Sequence, residues 1–133
     1  MNYEQLLRKS DLKVTPQRLG ILSLMHDMGH VSIEDLYEKI QKQFSSISLA
    51  TLYKNVNAML EKAIVKEVKV PHQKSRYEIT KAPHAHIMCE QCGRFEDIAV
   101  DMGHVVTCID GIIDFDVKET SLIFSGICSH CRK

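Results

Sequence analysis

The sequence is short of the residues that mark fibrous, disordered or membrane-spanning chains. Only three prolines and six glycines occur in 133 residues, against a hydrophobic content of 44%, which describes a globular fold rather than a disordered or collagen-like one. No apolar run is long enough to span a bilayer, and residues 1–4 lack the basic start and apolar stretch of a secretory signal. The expectation is therefore a cytoplasmic protein with no membrane partner. Internal repeats and low-complexity segments are absent too.

Formal net charge is also lacking, at zero, but it is unevenly distributed. Residues 1–83 hold 13 Lys and Arg against 9 Asp and Glu, and residues 84–133 hold 4 against 8. The first part suits a polyanion and the second, rich in His and carboxylates, suits cations. An imbalance of this size also arises by chance.

Helical spacing organises the first part. A short helix over residues 3–10 is followed by Thr15-Pro16, which supplies an N-cap and a favourable first helical residue. Leu19, Ile21, Leu22 and Met25 form the apolar face of that second helix, and Gly29-His30 ends it. Ser32 caps a third helix with Ile33, Leu36, Tyr37 and Ile40 on one stripe. Ser48 caps a fourth, over residues 49–62, with Leu49, Leu52, Val56, Met59 and Leu60 inward and Thr51, Tyr53, Lys54, Asn55 and Asn57 outward. Two β segments, 64–70 and 75–80, flank the turn Pro71-His72-Gln73-Lys74. The last three of these helices followed by the hairpin are the order of a winged helix-turn-helix, predicted over residues 1–80.

Residues 81–83, Lys-Ala-Pro, read as a hinge, and residues 84–133 as a second small domain. Strands are predicted over 86–89 and 95–100, a short helix over 101–109 in spite of Gly103, and one long strand over 115–127. Some fifty residues fold securely only with help from a metal or a partner. The predicted class is α+β.

Chemistry concentrates in that second domain. Cys89-Glu90-Gln91-Cys92 and Cys128-Ser129-His130-Cys131 are two Cys-x-x-Cys pairs. A two-residue spacer lets both thiolates of a pair face one ion from a tight turn, and two pairs complete a tetrahedral zinc site with no open position. That describes structural Zn2+; a redox pair or unrelated buried thiols are the alternative. Gly93 eases the turn after Cys92. Cys108 lies outside the pattern and is read as a small buried hydrophobe, and His130 as pointing away.

His84-Ala85-His86 places two imidazoles on one side of an extended strand. Glu78 and Asp97 flank them at strand ends. Two or three imidazoles with one or two carboxylates suit Fe(II), Mn(II) or Zn(II), and solvated surface histidines are the simpler alternative. Outward Thr51, Tyr53, Lys54 and Asn55 suit a DNA major groove, and an ordinary solvated helix face is the rival reading.

Residues 13–18 (Lys-Val-Thr-Pro-Gln-Arg), 48–53 (Ser-Leu-Ala-Thr-Leu-Tyr), His84-Ala85-His86 and the two cysteine pairs together resemble the ferric uptake regulator (Fur) superfamily over nearly the whole chain. The resemblance implies a winged-helix DNA-binding domain, a small α/β dimerisation domain with structural zinc, and a homodimer that binds palindromic operator DNA when metallated. It implies a regulatory site of His30, Glu78, His84, His86 and Asp97 for Fe2+ or Mn2+. It adds Lys13 as a minor-groove reader and Thr15, Gln17 and Arg18 as backbone contacts. Without it, His30 reads as a helix C-terminal histidine favoured by the dipole.

Within the superfamily, zinc-responsive members tend to carry Cys at the position of Glu78. Iron-responsive members often have an acidic residue between the paired histidines, where Ala85 stands, and a further His before the second cysteine pair, which residues 117–120 lack. The peroxide-responsive (PerR-like) branch typically has Asp at the position of Asp97, although its wing residue is usually Asp where this chain has Glu78. The resemblance thus favours a peroxide sensor in which His30 or His84 is oxidised, with an iron-uptake repressor as the alternative. No nucleophile motif or separate general base points to an enzyme, and a metalloenzyme or a zinc-ribbon interaction module are the rivals from other classes.

Overall fold

Side-chain oxygens of Asn2, Thr15, Ser32, Ser48 and Asp101 each accept the backbone N–H three residues on, and at each the chain enters a helix. Each such cap contributes about 1 kcal/mol. In the computed structural model, which describes residues 2–133, these helices are α1 (Tyr3–Lys9), α2 (Pro16–Met28), α3 (Ile33–Ile40), α4 (Leu49–Glu61) and α5 (Met102–Asp110). The strands are β1 (Val65–Val68), β2 (Arg76–Ile79), β3 (Ala85–Cys89), β4 (Phe95–Ile98) and β5 (Ile123–Gly126). The chain divides into two compact units, Met1–Thr80 and Lys81–Lys133.

In the first unit, Leu7, Ile21, Leu22, Met25, Leu36, Ile40, Leu52, Val56 and Met59 are all at most 1% exposed and form one core. They come from four helices at the three- and four-residue spacings that keep one face inward. Antiparallel β1 and β2 form the wing, with Lys66 opposite Glu78. The segment between α2 and α3 reaches the wing through one further bridge, Val31 to Tyr77.

Leu49 departs from the predicted inward face: it is 42% exposed. It is the first residue of α4, a turn before the ridge Leu52–Val56–Met59 meets the core, so much of it stays open to solvent. Thr51 and Asn55 depart in the other direction. Both are half-buried, and Tyr53, Lys54 and Asn57 alone carry the open face of those five.

The second unit is a three-stranded sheet in the order β4–β3–β5, with β4 antiparallel and β5 parallel to β3. A parallel neighbour requires a crossover, and α5 lies on that connection. The predicted long strand over 115–127 shrinks to four residues, because β3 offers only His86 to Cys89 as partners for β5. Among the described residues, 112–122 have no ladder partner, and Ile112 and Phe115 are each 77% exposed. Cys108 is exposed rather than buried. The inward stripe of α5 runs through Met102, Val105, Val106 and Ile109, and Cys108 falls outside it. Among the described residues, no helix is long and apolar enough to cross a membrane.

Candidate metal centres and nucleic-acid interface

The four sulfurs of Cys89, Cys92, Cys128 and Cys131 lie within 4.8 Å of one another. Cys89 ends β3, Cys92 follows in a tight turn, and Gly93 at φ 79° turns the chain back with Gly93 N–H donating to the Cys89 carbonyl. The second pair closes a similar turn after β5, where the Cys131 N–H donates to the Cys128 carbonyl. Parallel pairing of β3 with β5 brings the two turns to the same end of the sheet.

Zinc–sulfur bonds of about 2.3 Å in a tetrahedron separate the sulfurs by about 3.8 Å. Cys92 Sγ and Cys128 Sγ are 3.9 Å apart, too far for a disulfide and right for a shared ion. Backbone N–H groups of Cys128 and Cys92 donate to Cys89 Sγ and hold its thiol down to about 6. Cys131, beside Cys128 and partly desolvated, is pushed up to about 12. Four thiols this close cannot all ionise unless a cation sits among them. The cluster fits structural zinc, and His130 is not part of it.

The histidines and carboxylates form a harder donor set in each unit. In the first, Gly29 at φ 76° ends α2 and turns the chain into His30. Paired hydrogen bonds between Val31 and Tyr77 then pin that turn against β2. Glu78, the next residue along β2, is its one buried side chain, only 2% exposed, and its Oε2 stands 3.1 Å from His30 Nε2. A carboxylate at an inward strand position is costly unless it meets a cation or strong donors.

In the second unit, His86 and Asp97 are direct cross-strand partners of β3 and β4. His86 is 5% exposed and its ring stacks on Phe95, with centroids 5.2 Å apart. Nδ1 of His84 lies 2.9 Å from the Ala82 carbonyl. A carbonyl only accepts, so Nδ1 carries the hydrogen and Nε2 keeps its lone pair for a ligand. His84 Nε2 is 3.1 Å from His86 Nε2, and Asp97 Oδ1 is 3.3 Å from each. Three donors on one face of an octahedral ion with bonds of about 2.2 Å stand about 3.1 Å apart. This triangle of two imidazoles and one carboxylate fits Fe(II) or Mn(II).

Lys81, which no motif singles out, pairs its ammonium with the other Asp97 oxygen, Oδ2. A contact spanning sixteen residues leaves no local signal.

On α4, Ser48 Oγ accepts the Thr51 N–H and donates to Thr51 Oγ1 at 2.9 Å. Asn55 Nδ2 donates to the Thr51 carbonyl, while its Oδ1 accepts Nε–H of Arg18 at 3.1 Å. Arg18 also donates through Nη1 to the Lys13 carbonyl at 2.8 Å, and Thr15 Oγ1 accepts the Arg18 N–H. Lys13, Thr15, Arg18, Thr51 and Asn55 therefore form one network that ties the start of α2 to α4. Gln17, half-buried on the first turn of α2, has no place in the network described. The open face of α4 is a shallow groove lined by Ala50, Tyr53, Lys54, Asn57, Ala58 and Glu61, of which only Tyr53 and Lys54 are expected as groove residues from the sequence.

Comparison with known proteins agrees with this construction. The family model for the ferric uptake regulator family matches residues 9–125. A peroxide-responsive repressor, PerR, of Staphylococcus epidermidis is 31% identical over 129 residues, covering 96% of this chain and 86% of the relative. The crystal structure of a Campylobacter jejuni peroxide stress regulator superposes with a TM-score of 0.75 at 35% identity, covering 98% of this chain and 100% of that one. The ferric uptake regulator of Vibrio cholerae superposes with a TM-score of 0.78 at 30% identity, covering 96% and 100%. With its four-cysteine cluster, its imidazole–carboxylate donors and its winged helix, the chain belongs to the ferric uptake regulator family of metal-responsive repressors.

Proposed function

We propose that the chain is a peroxide-sensing repressor of this family, in which one exchangeable Fe(II) or Mn(II) is held by His30, Glu78, His84, His86 and Asp97. The carrying observation is the triangle of His84 Nε2, His86 Nε2 and Asp97 Oδ1, with edges of 3.1 to 3.3 Å. Such a face leaves further positions for His30 and Glu78 from the first unit. An ion bound by both sets restricts the orientation of the winged helix, and binding energy available only in one arrangement shifts the population toward it. Residues 81–83 serve as the hinge between residues 1–80, the DNA-binding domain, and residues 84–133, the domain that dimerises.

Exposed Ile112, Ile113, Phe115 and Phe124 support a homodimer, since apolar side chains at this density in a small unit favour burial against a second copy. Two α4 helices related by the dimer axis would read the half-sites of a palindromic duplex. Tyr53 and Lys54 face the groove, Thr51 and Asn55 contact base edges from the side of α4 nearer α2, and Lys13, Thr15, Gln17 and Arg18 contact the backbone and minor groove. Cys89, Cys92, Cys128 and Cys131 hold the structural zinc.

Fe(II) held by these residues would supply the electrons that reduce hydrogen peroxide, and Mn(II) would not. His84 has its ring fixed by Ala82 and lines a cleft with Pro83 and Val100, and the side chains of His84 and His30, 11% and 12% exposed, are more open than that of His86 at 7%, which favours them over His86 as the imidazoles an oxidant reaches. Oxidation there removes a donor and releases the duplex. Peptide mass spectrometry of the Fe(II) form after peroxide is expected to show one added oxygen on a peptide containing His30 or His84. Unmodified histidines, with operator binding intact after peroxide, would overturn the peroxide reading. The similarity to the Vibrio cholerae ferric uptake regulator favours a second reading, iron-responsive repression, and that same result would support it.

A further inference from the structure

Asp97 divides its carboxylate between two tasks. Oδ1 faces both imidazoles at 3.3 Å, while Oδ2 is held by the Lys81 ammonium. The backbone leaves Asp97 little freedom, because β4 is locked opposite β3 at this residue. Lys81 has no such constraint and its side chain is 53% exposed. Both groups line an open cleft with Pro83, His84, Ile98 and Val100. An ion pair so open to water contributes little to stability, so its consequence falls on the carboxylate rather than on the fold.

That consequence is coordination chemistry. A carboxylate with both oxygens free can grip an ion through both, occupying two positions. With Oδ2 bound by an ammonium it gives one oxygen, and its charge is partly neutralised. We propose that Lys81 is a positioning residue for the regulatory ion, confining Asp97 to one coordinating oxygen and thereby weakening the site and keeping a ligand position open. The inference rests on the metal reading above and adds a residue outside the ligand set. It gives the chain a built-in means of holding its ion loosely enough to exchange.

The test uses zinc-loaded full-length protein titrated with Mn(II), following both the free-ion EPR signal and the spectrum of the bound ion. Lys81→Met is expected to tighten Mn(II) binding by about threefold or more and to change the bound-ion spectrum, because Asp97 is free to use both oxygens. Lys81→Arg, which keeps a cation on Oδ2, is expected to restore wild-type affinity and spectrum. A residue that merely braced the fold would leave the spectrum unmoved. Weaker binding by Lys81→Met, or affinity and spectrum identical to wild type, would overturn the role of Lys81 provided His86→Ala loses Mn(II). Undiminished binding by His86→Ala would instead remove the ion from this cluster, overturning the metal reading and the Lys81 proposal together.

Discussion

The two metal centres differ in softness, closure and origin. The cysteine cluster is all sulfur, uses every tetrahedral position, and is assembled from two turns at one end of one sheet. The imidazole–carboxylate donors are nitrogen and oxygen, and each unit contributes its own set. A closed thiolate cage fixes a fold, whereas harder, divided ligands suit an ion that comes and goes. On the proposed reading, permanence and exchange are allotted to different chemistry within one short chain.

The sharpest way to break the comparison is to open the closed cage. Cys92→Ser is expected to abolish zinc retention and unfold the second unit, since structural zinc supplies on the order of 10 kcal/mol to such small domains. Zinc content by elemental analysis and loss of cooperative melting by circular dichroism would report it. Retained zinc with an unchanged melt would contradict a structural role.

Opening the proposed regulatory site should have the opposite profile. Asp97→Ala is expected to keep its zinc and its melt while losing Mn(II)-dependent operator binding by at least about tenfold, read by gel shift with and without Mn(II). Operator binding that persists at wild-type affinity would remove Asp97 from the switch.

A third substitution separates metal from DNA. Arg18→Ala removes the donor that ties Asn55 to the Lys13 carbonyl, at a net cost of about 1–2 kcal/mol, or about five- to thirtyfold in operator affinity. Mn(II) affinity should not move. Loss of Mn(II) binding in this variant would show the network to belong to the metal site.

The smallest effect is expected at Leu49. Its exposure makes Leu49→Ala worth at most about 0.5 kcal/mol in denaturant unfolding, whereas Leu52→Ala, at a fully buried position, costs about 2–5 kcal/mol. Equal costs would mean that another surface covers Leu49.

What was legible in the sequence was what short spacing encodes. The helix caps, the paired cysteines and the shared side of His84 and His86 follow from local geometry, and all appear in the structure. The pairing of His30 with Glu78 depends on a single distant bridge, Val31 to Tyr77, and periodicity carries no trace of it; the family resemblance supplied it. Arg18 with Asn55 and Lys81 with Asp97 are likewise products of folding. The strand over 115–127 was overread because alternation records a side chain's preference but not the presence of a partner strand. Cys108 was misplaced because cysteine's general tendency to burial yields to its position off the stripe of α5.

The central claim is that histidine and carboxylate donors from both units serve one ion. Calorimetric Mn(II) titration of zinc-loaded wild type, His30→Ala and His86→Ala tests it most directly. The account predicts one exchangeable ion per chain, with affinity falling at least about tenfold in each variant. Binding lost in His86→Ala but untouched in His30→Ala would contradict it, leaving the ion to the second unit alone.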